Sequence, residues 1–204
     1  MDLFLAVLLF AASTTVTPGP NNVMIMTSGL NHGIRKSLPH LLGISIGFPV
    51  MLILIGLGLG NLFEAIPAIH EIIKLIGVLY LLYLSWLIAT SQAGDMEGKT
   101  SNPLSFFQAV LFQWVNPKAW VVAIGAVSAY TSLSSHFYKE VMIIAIIFFF
   151  VAIPSLSTWL FFGVGLKRIL KQPFYQKTFN IFMALLLVAS IIPVVYELIM
   201  SHLA

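Results

Sequence analysis

The chain has 204 residues, 59% of them hydrophobic and 8% charged, with a mean hydropathy of +1.00. Soluble domains carry about 25% charged residues, so this composition excludes them and marks an integral membrane chain; at roughly 20 residues per crossing, residues 1–204 form one transmembrane domain of six spans. The net charge of +3 gathers in loops, where membrane topology explains it without nucleic-acid binding, and the absence of cysteine excludes disulfides, thiolate metal sites and thiol redox chemistry.

The first apolar run, Leu3 to Val16, is preceded by Asp2 and by no lysine or arginine, so it reads as a span rather than a cleaved signal. That span continues to about Leu30, and Thr17-Pro18-Gly19-Pro20-Asn21-Asn22 interrupts it near its midpoint. Two prolines and a glycine must break a helix there. In lipid an unpaired carbonyl or N–H is expensive, so a break at this depth is expected where the backbone is buried in protein or lines a polar cavity. The polar stretch Asn31 to Ser37 is expected to turn the chain. Span two, about Leu38 to Gly60, contains Pro49 and the pairs Gly43/Gly47 and Gly56/Gly60, spaced for close helix packing.

A turn over Asn61 to His70 leads to span three, about Ile72 to Ser91, and a polar loop over Gln92 to Pro103 divides the chain nearly in half. Span four, Leu104 to Tyr130, carries the second break, Val115-Asn116-Pro117-Lys118-Ala119. Thr131 to Glu140 is a turn, span five is about Val141 to Gly163 with Pro154 inside, Val164 to Thr178 is a loop, and span six is Phe179 to about Met200.

The halves, about 1–100 and 101–204, each hold three spans with a proline–asparagine break in the first and a proline in the second. Because three is odd, they cross the membrane in opposite senses. The expected architecture is therefore all-α, with six transmembrane helices in a 3+3 inverted repeat and broken helices 1 and 4 facing each other. Orientation follows from lysine and arginine. The loops after spans one, three and five hold Arg35, Lys36, Lys99, Lys167, Arg168, Lys171 and Lys177, against Lys74 and Lys139 on the other side. Both termini are then outside.

Lys118 sits mid-span, too deep for its ammonium to reach either surface easily, and needs a partner or a wet cavity. Two readings stay open: it holds a ligand, or it caps carbonyls freed by Pro117. Asn21, Asn22 and Asn116 either contact a ligand or satisfy the broken backbone. Gln108 and Gln113 either line the same cavity or bridge helices; His40 reads as interfacial, and the aromatic clusters as packing or lipid-facing. No carboxylate falls in the middle of a span, which disfavours cationic cargo and hard metal ions. A small zwitterion suits what remains: its carboxylate would meet Lys118 and a half-helix N-terminus, and its ammonium the carbonyls before Pro18 or Pro117. The candidate site is thus Thr17, Pro18, Gly19, Pro20, Asn21, Asn22, Gln113, Asn116, Pro117 and Lys118, with no metal and no cofactor.

Thr17-Pro18-Gly19-Pro20-Asn21, Gly33-Ile34-Arg35, Gly43 with Gly47, Gly77 to Leu84, and Asn116-Pro117-Lys118-Ala119 together resemble the motifs of the LysE/RhtB family of amino-acid exporters, in order and over essentially the whole chain. The resemblance implies an inner-membrane exporter, not an enzyme, driven by the proton gradient. A homo-oligomer is compatible with it. Pro20-Asn21-Asn22, His32-Gly33, Trp86 to Ser91 and Gln113 to Asn116 most resemble the subgroup exporting cysteine and O-acetylserine, with threonine or homoserine as the alternative cargo. Gln108-Ala109 and Asn180 depart from the family's glycine pattern. Among rival classes, a membrane thiol–disulfide reductase lacks its cysteines, a heavy-metal exporter would want buried acids or clustered histidines, and an intramembrane hydrolase would want a buried Ser–His or Asp pair. A non-transport assembly protein leaves the two midspan breaks and their lysine unexplained.

Overall fold

The computed structural model describes residues 3–59, 67–90, 102–131, 136–169 and 172–203. The described chain is helical, without strands: α1 (Leu3–Val16), α2 (Pro20–Leu54) ending in a π turn (Ile55–Leu59), α3 (Pro67–Thr90), α4 (Phe106–Phe112) running into a 3-10 turn (Gln113–Val115), α5 (Pro117–Tyr130), α6 (Phe137–Ile169) and α7 (Pro173–Leu203). Lys99, Lys171 and most of the mid-chain loop lie outside the described residues.

Both expected breaks are present. The first separates α1 from α2 over residues 17–19. The second bends Phe106–Val115 against Pro117–Tyr130 by 71°.

The turn expected over Asn31 to Ser37 is tighter than a loop. Helical backbone runs through it except at Gly33, whose φ of 75° and ψ of 178° only glycine adopts without strain. The chain reverses there. Ser28 Oγ and Ser37 Oγ are 2.7 Å apart, whereas nine residues of straight helix would separate them by about 13 Å. The reversal also explains why Val7 and Ala11 of α1 share one apolar cluster with Phe48, Met51 and Leu52. Residues 20–32 and 34–54 of α2 are therefore two arms, called α2a and α2b below.

The loop expected over Val164 to Thr178 is largely helix, because α6 extends to Ile169 and α7 starts at Pro173. Proline at a helix start lacks only an N–H that has no intrahelical partner there, so the helix begins six residues before the apolar run.

The paired glycines of span two do what their spacing suggests. A Cβ at Gly43 would strike the Phe106 carbonyl, and one at Gly47 would sit 2.8 Å from Val110 Cα, so α2b lies backbone-to-backbone on α4. Gly56 instead faces the side chain of Val141 of α6, and Gly60, its partner in the spacing, lies outside the described residues. α2a crosses α6 just as closely, where Gly29 faces Leu160 and Gly163 faces the Met26 carbonyl.

Burial is inverted relative to a soluble protein. Asn22, His40, Gln113, Asn116 and Asn180 are buried, while Phe107 is 74% exposed and Val121 73%. Water would penalise such a surface; a hydrocarbon solvent would not. By length and composition, the stretches Pro20–Gly58 and Phe137–Leu166 and the bent pair Phe106–Val115 with Pro117–Tyr130 are long and apolar enough to cross a bilayer, although Gly33 divides the first into two arms, and shorter apolar helices accompany them.

Candidate functional site

A helix that stops at Val16 leaves its last carbonyls without intrahelical donors, because Pro18 and Pro20 have no N–H to give. Each of these carbonyls is met from a different direction. Thr17 Oγ1 donates to the Thr14 carbonyl at 2.9 Å. Asn22 Nδ2 reaches back from α2a to the carbonyls of Thr15 at 2.8 Å and Thr17 at 2.9 Å. Trp159 Nε1 of α6 donates to the Val16 carbonyl at 3.2 Å.

Lys118 completes the set from across the molecule. Its Nζ donates to the Thr17 carbonyl at 2.7 Å, to Thr17 Oγ1 at 2.9 Å and to the Pro18 carbonyl at 3.3 Å. Those three acceptors use the three donors of an ammonium. Its stem lies over Gly19, where an added Cβ would come within 2.7 Å of Lys118 Cδ. The lysine therefore caps carbonyls of the first break. The carbonyl of Trp114, ahead of Pro117, is met by Trp120 Nε1 at 2.8 Å, so the carbonyls that Lys118 meets belong to the first break and not to its own.

The second break is built from its own residues. Asn116, at φ −87° and ψ 109°, caps α5 by accepting the Lys118 N–H on Oδ1 at 3.1 Å, with Pro117 at the first helical position. A paired amide joins the breaks: Asn21 Nδ2 donates to Gln113 Oε1 at 2.9 Å, and Gln113 Nε2 donates to Asn21 Oδ1 at 3.2 Å. Gln113 is fully buried and also donates to the Ala109 carbonyl at 2.9 Å. Gln108 does not join it; it closes a capping box with Ser105 at the exposed start of α4.

A cavity opens between the breaks. Of the ten residues singled out by sequence, Gly19, Asn21, Asn22, Asn116 and Lys118 line it, whereas Thr17, Pro18, Pro20, Gln113 and Pro117 shape the backbone or hold these five in place. Sequence reading missed Thr14 and Thr15, two hydroxyls one turn before the break, whose signal was their polarity within an apolar run. It also missed the apolar walls, Phe48 of α2b with Phe148 and Leu156 of α6, which look like any other apolar span residue. No carboxylate lines the cavity, and no group of three histidine, cysteine or acidic side chains suited to a metal occurs among the described residues.

An exposed apolar surface over buried polar side chains, on apolar helices of which two are interrupted, fits a multi-pass helical membrane protein. The model of the LysE type translocator family matches residues 12–197, and the chain belongs to this family. It is 31% identical over 183 residues to a protein named cysteine/O-acetylserine efflux protein in Salmonella typhimurium strain LT2, covering 90% of this chain and 92% of that one. It is 29% identical, over the same shares, to the protein so named in Escherichia coli strain K12. No solved structure matches the chain.

Proposed function

We propose that the protein exports small neutral amino acids or their derivatives, of the cysteine and O-acetylserine type, across the bacterial inner membrane by coupling to the proton gradient. The six-span inverted repeat, with both termini periplasmic, is the frame of this reading. It is supported by the facing breaks, by the hairpin at Gly33 and by the packing of α3 along α7. The names of the relatives supply the cargo class.

The observation that carries the mechanism is where the Lys118 ammonium rests. It occupies the Thr17 and Pro18 carbonyls, which are the acceptors a substrate ammonium would use. An incoming zwitterion competes for them. As its ammonium takes the carbonyls, Lys118 is displaced by a few ångström and becomes the counter-charge for the carboxylate, beside the uncapped N-terminus of α2a at Gly19. Thr14, Thr15, Asn22 and Asn116 then face a short polar side chain, and the apolar wall limits its length. The lack of a carboxylate in the cavity disfavours lysine and arginine as cargo.

The test is export from proteoliposomes loaded with radiolabelled O-acetylserine, cysteine, threonine, homoserine or lysine. Export of O-acetylserine or cysteine, dependent on an imposed proton gradient, is expected. Threonine or homoserine alone would move the cargo within the family, and lysine alone would overturn the electrostatic argument.

A further inference from the structure

His40 was expected at the membrane interface, but it is 2% exposed, and neither ring nitrogen has a hydrogen-bond partner among the described residues. It borders a second cavity, with Thr27, Ser28 and Asn31 of α2a, His32 beside the turn, and Asn102 before α4; leucines of α3 close the far side. Thr27 is buried too, and its hydroxyl is likewise unpartnered. Ser28 is not free in this sense, since Ser37 Oγ donates to the Gly33 carbonyl and so leaves Ser28 to donate to Ser37. Leaving a buried polar atom without a partner costs about 1–3 kcal/mol, and here the unpartnered groups share the wall of one cavity.

The two cavities lie in the same order along both arms of the hairpin. On α2a, Asn21 and Asn22 line the first and Thr27 and Ser28 the second; on α2b, Phe48 and Ile44 line the first and His40 the second. Ile25, Leu41 and Ile44 pack together between them. The second cavity sits at the Gly33 end of the hairpin, next to Arg35 and Lys36, which is the cytoplasmic end by the distribution of basic residues.

We infer that the His40–Thr27 cavity is a separate cytoplasmic binding site for a small net-neutral zwitterion, from which the substrate passes the Ile25–Leu41–Ile44 layer to reach the Lys118 site; this rests on the exporter reading above. Chemistry favours that class of ligand. A neutral imidazole both donates and accepts, and a threonine hydroxyl does the same, so together they satisfy a carboxylate and an ammonium. Among the described residues, no lysine, arginine, aspartate or glutamate lines the cavity to compensate a net-charged ligand.

The experiment is carbethoxylation of the full-length protein in proteoliposomes by diethyl pyrocarbonate, read at each histidine by peptide mass. O-acetylserine is the probe, and the exposed His136 serves as internal reference for reagent consumed by the amine. O-acetylserine is expected to slow modification of His40 at least fivefold relative to His136, in the wild type and equally in Lys118→Ala, whose export is lost. His40→Phe, which keeps the volume and removes the polar atoms, is expected to raise the half-saturation concentration from the cytoplasmic side at least tenfold. Export by the wild type without protection of His40 overturns the site and leaves the exporter reading intact. Protection without any export does the reverse, and neither protection nor export overturns both.

Discussion

The Lys118 ammonium rests on the Thr17 and Pro18 carbonyls, at the far break from its own. Its depth in an apolar span required a polar partner, and composition supplied that much. The partner lies across the molecule, about 100 residues away in sequence, and no local pattern encodes a contact of that range. Lys118→Ala is expected to reduce export to below a tenth of wild type and to lower thermal stability in detergent by about 1 kcal/mol, since the Pro18 carbonyl loses its donor while Asn22 still serves Thr17. Lys118→Arg is expected to be partly active at most, because a planar guanidinium cannot follow the compact path over Gly19. A well-expressed Lys118→Ala protein that exports normally would leave the lysine as a carbonyl cap and nothing more. For the paired amide, a double-mutant cycle on Asn21→Ala and Gln113→Ala should give a coupling of about 0.6–1.7 kcal/mol in detergent melts, the range found for polar contacts between membrane helices. Additive effects would mean the breaks are held together elsewhere.

Two glycines with equally open surroundings separate backbone strain from packing among the helices. An added Cβ would meet nothing within 4 Å at Gly33 or at Gly125. Gly33 has a positive φ and Gly125 lies inside α5, so the same substitution acts in opposite directions. Gly33→Ala is expected to destabilise by about 1–3 kcal/mol, and Gly125→Ala to be neutral or stabilising by up to about 1 kcal/mol. Detergent melting temperatures measured side by side would check this, and equal shifts would refute the hairpin argument. At this scale the breaks and the close packing at Gly43 and Gly47 were legible, because proline and spaced glycines act on the backbone locally, but the spacing did not name α4 as the partner. The turn at residues 31–37 was legible as a reversal but not as one non-helical residue, since a polar stretch does not reveal how few residues the reversal needs. The continuation of α6 and α7 into the expected loop was hidden because hydropathy marks where lipid ends, not where hydrogen bonding ends.

For the whole molecule, the orientation argument is open to a direct check. With the basic loops cytoplasmic, a reporter active only in the cytoplasm, fused after Ala204, should be silent, and a strong signal would invert the topology. Membrane class was legible from composition alone, and the facing of the two breaks from their symmetric placement in the halves. The second cavity was not, because a histidine near the end of an apolar run has the same sequence signature whether it lies in headgroups or is sealed beneath a helix. The position of Lys118 also bears on affinity. A tethered ammonium resting on the acceptors that cargo needs acts as a built-in pseudo-substrate, present at an effective concentration of roughly millimolar or above. On the exporter reading proposed above, cargo binds against permanent internal competition, and its apparent dissociation constant is the intrinsic one divided by the fraction of time the site is free of the lysine. On that same reading, low affinity makes flux rise with the cytoplasmic cargo concentration as cargo displaces the tether, so that export grows when amino acids accumulate.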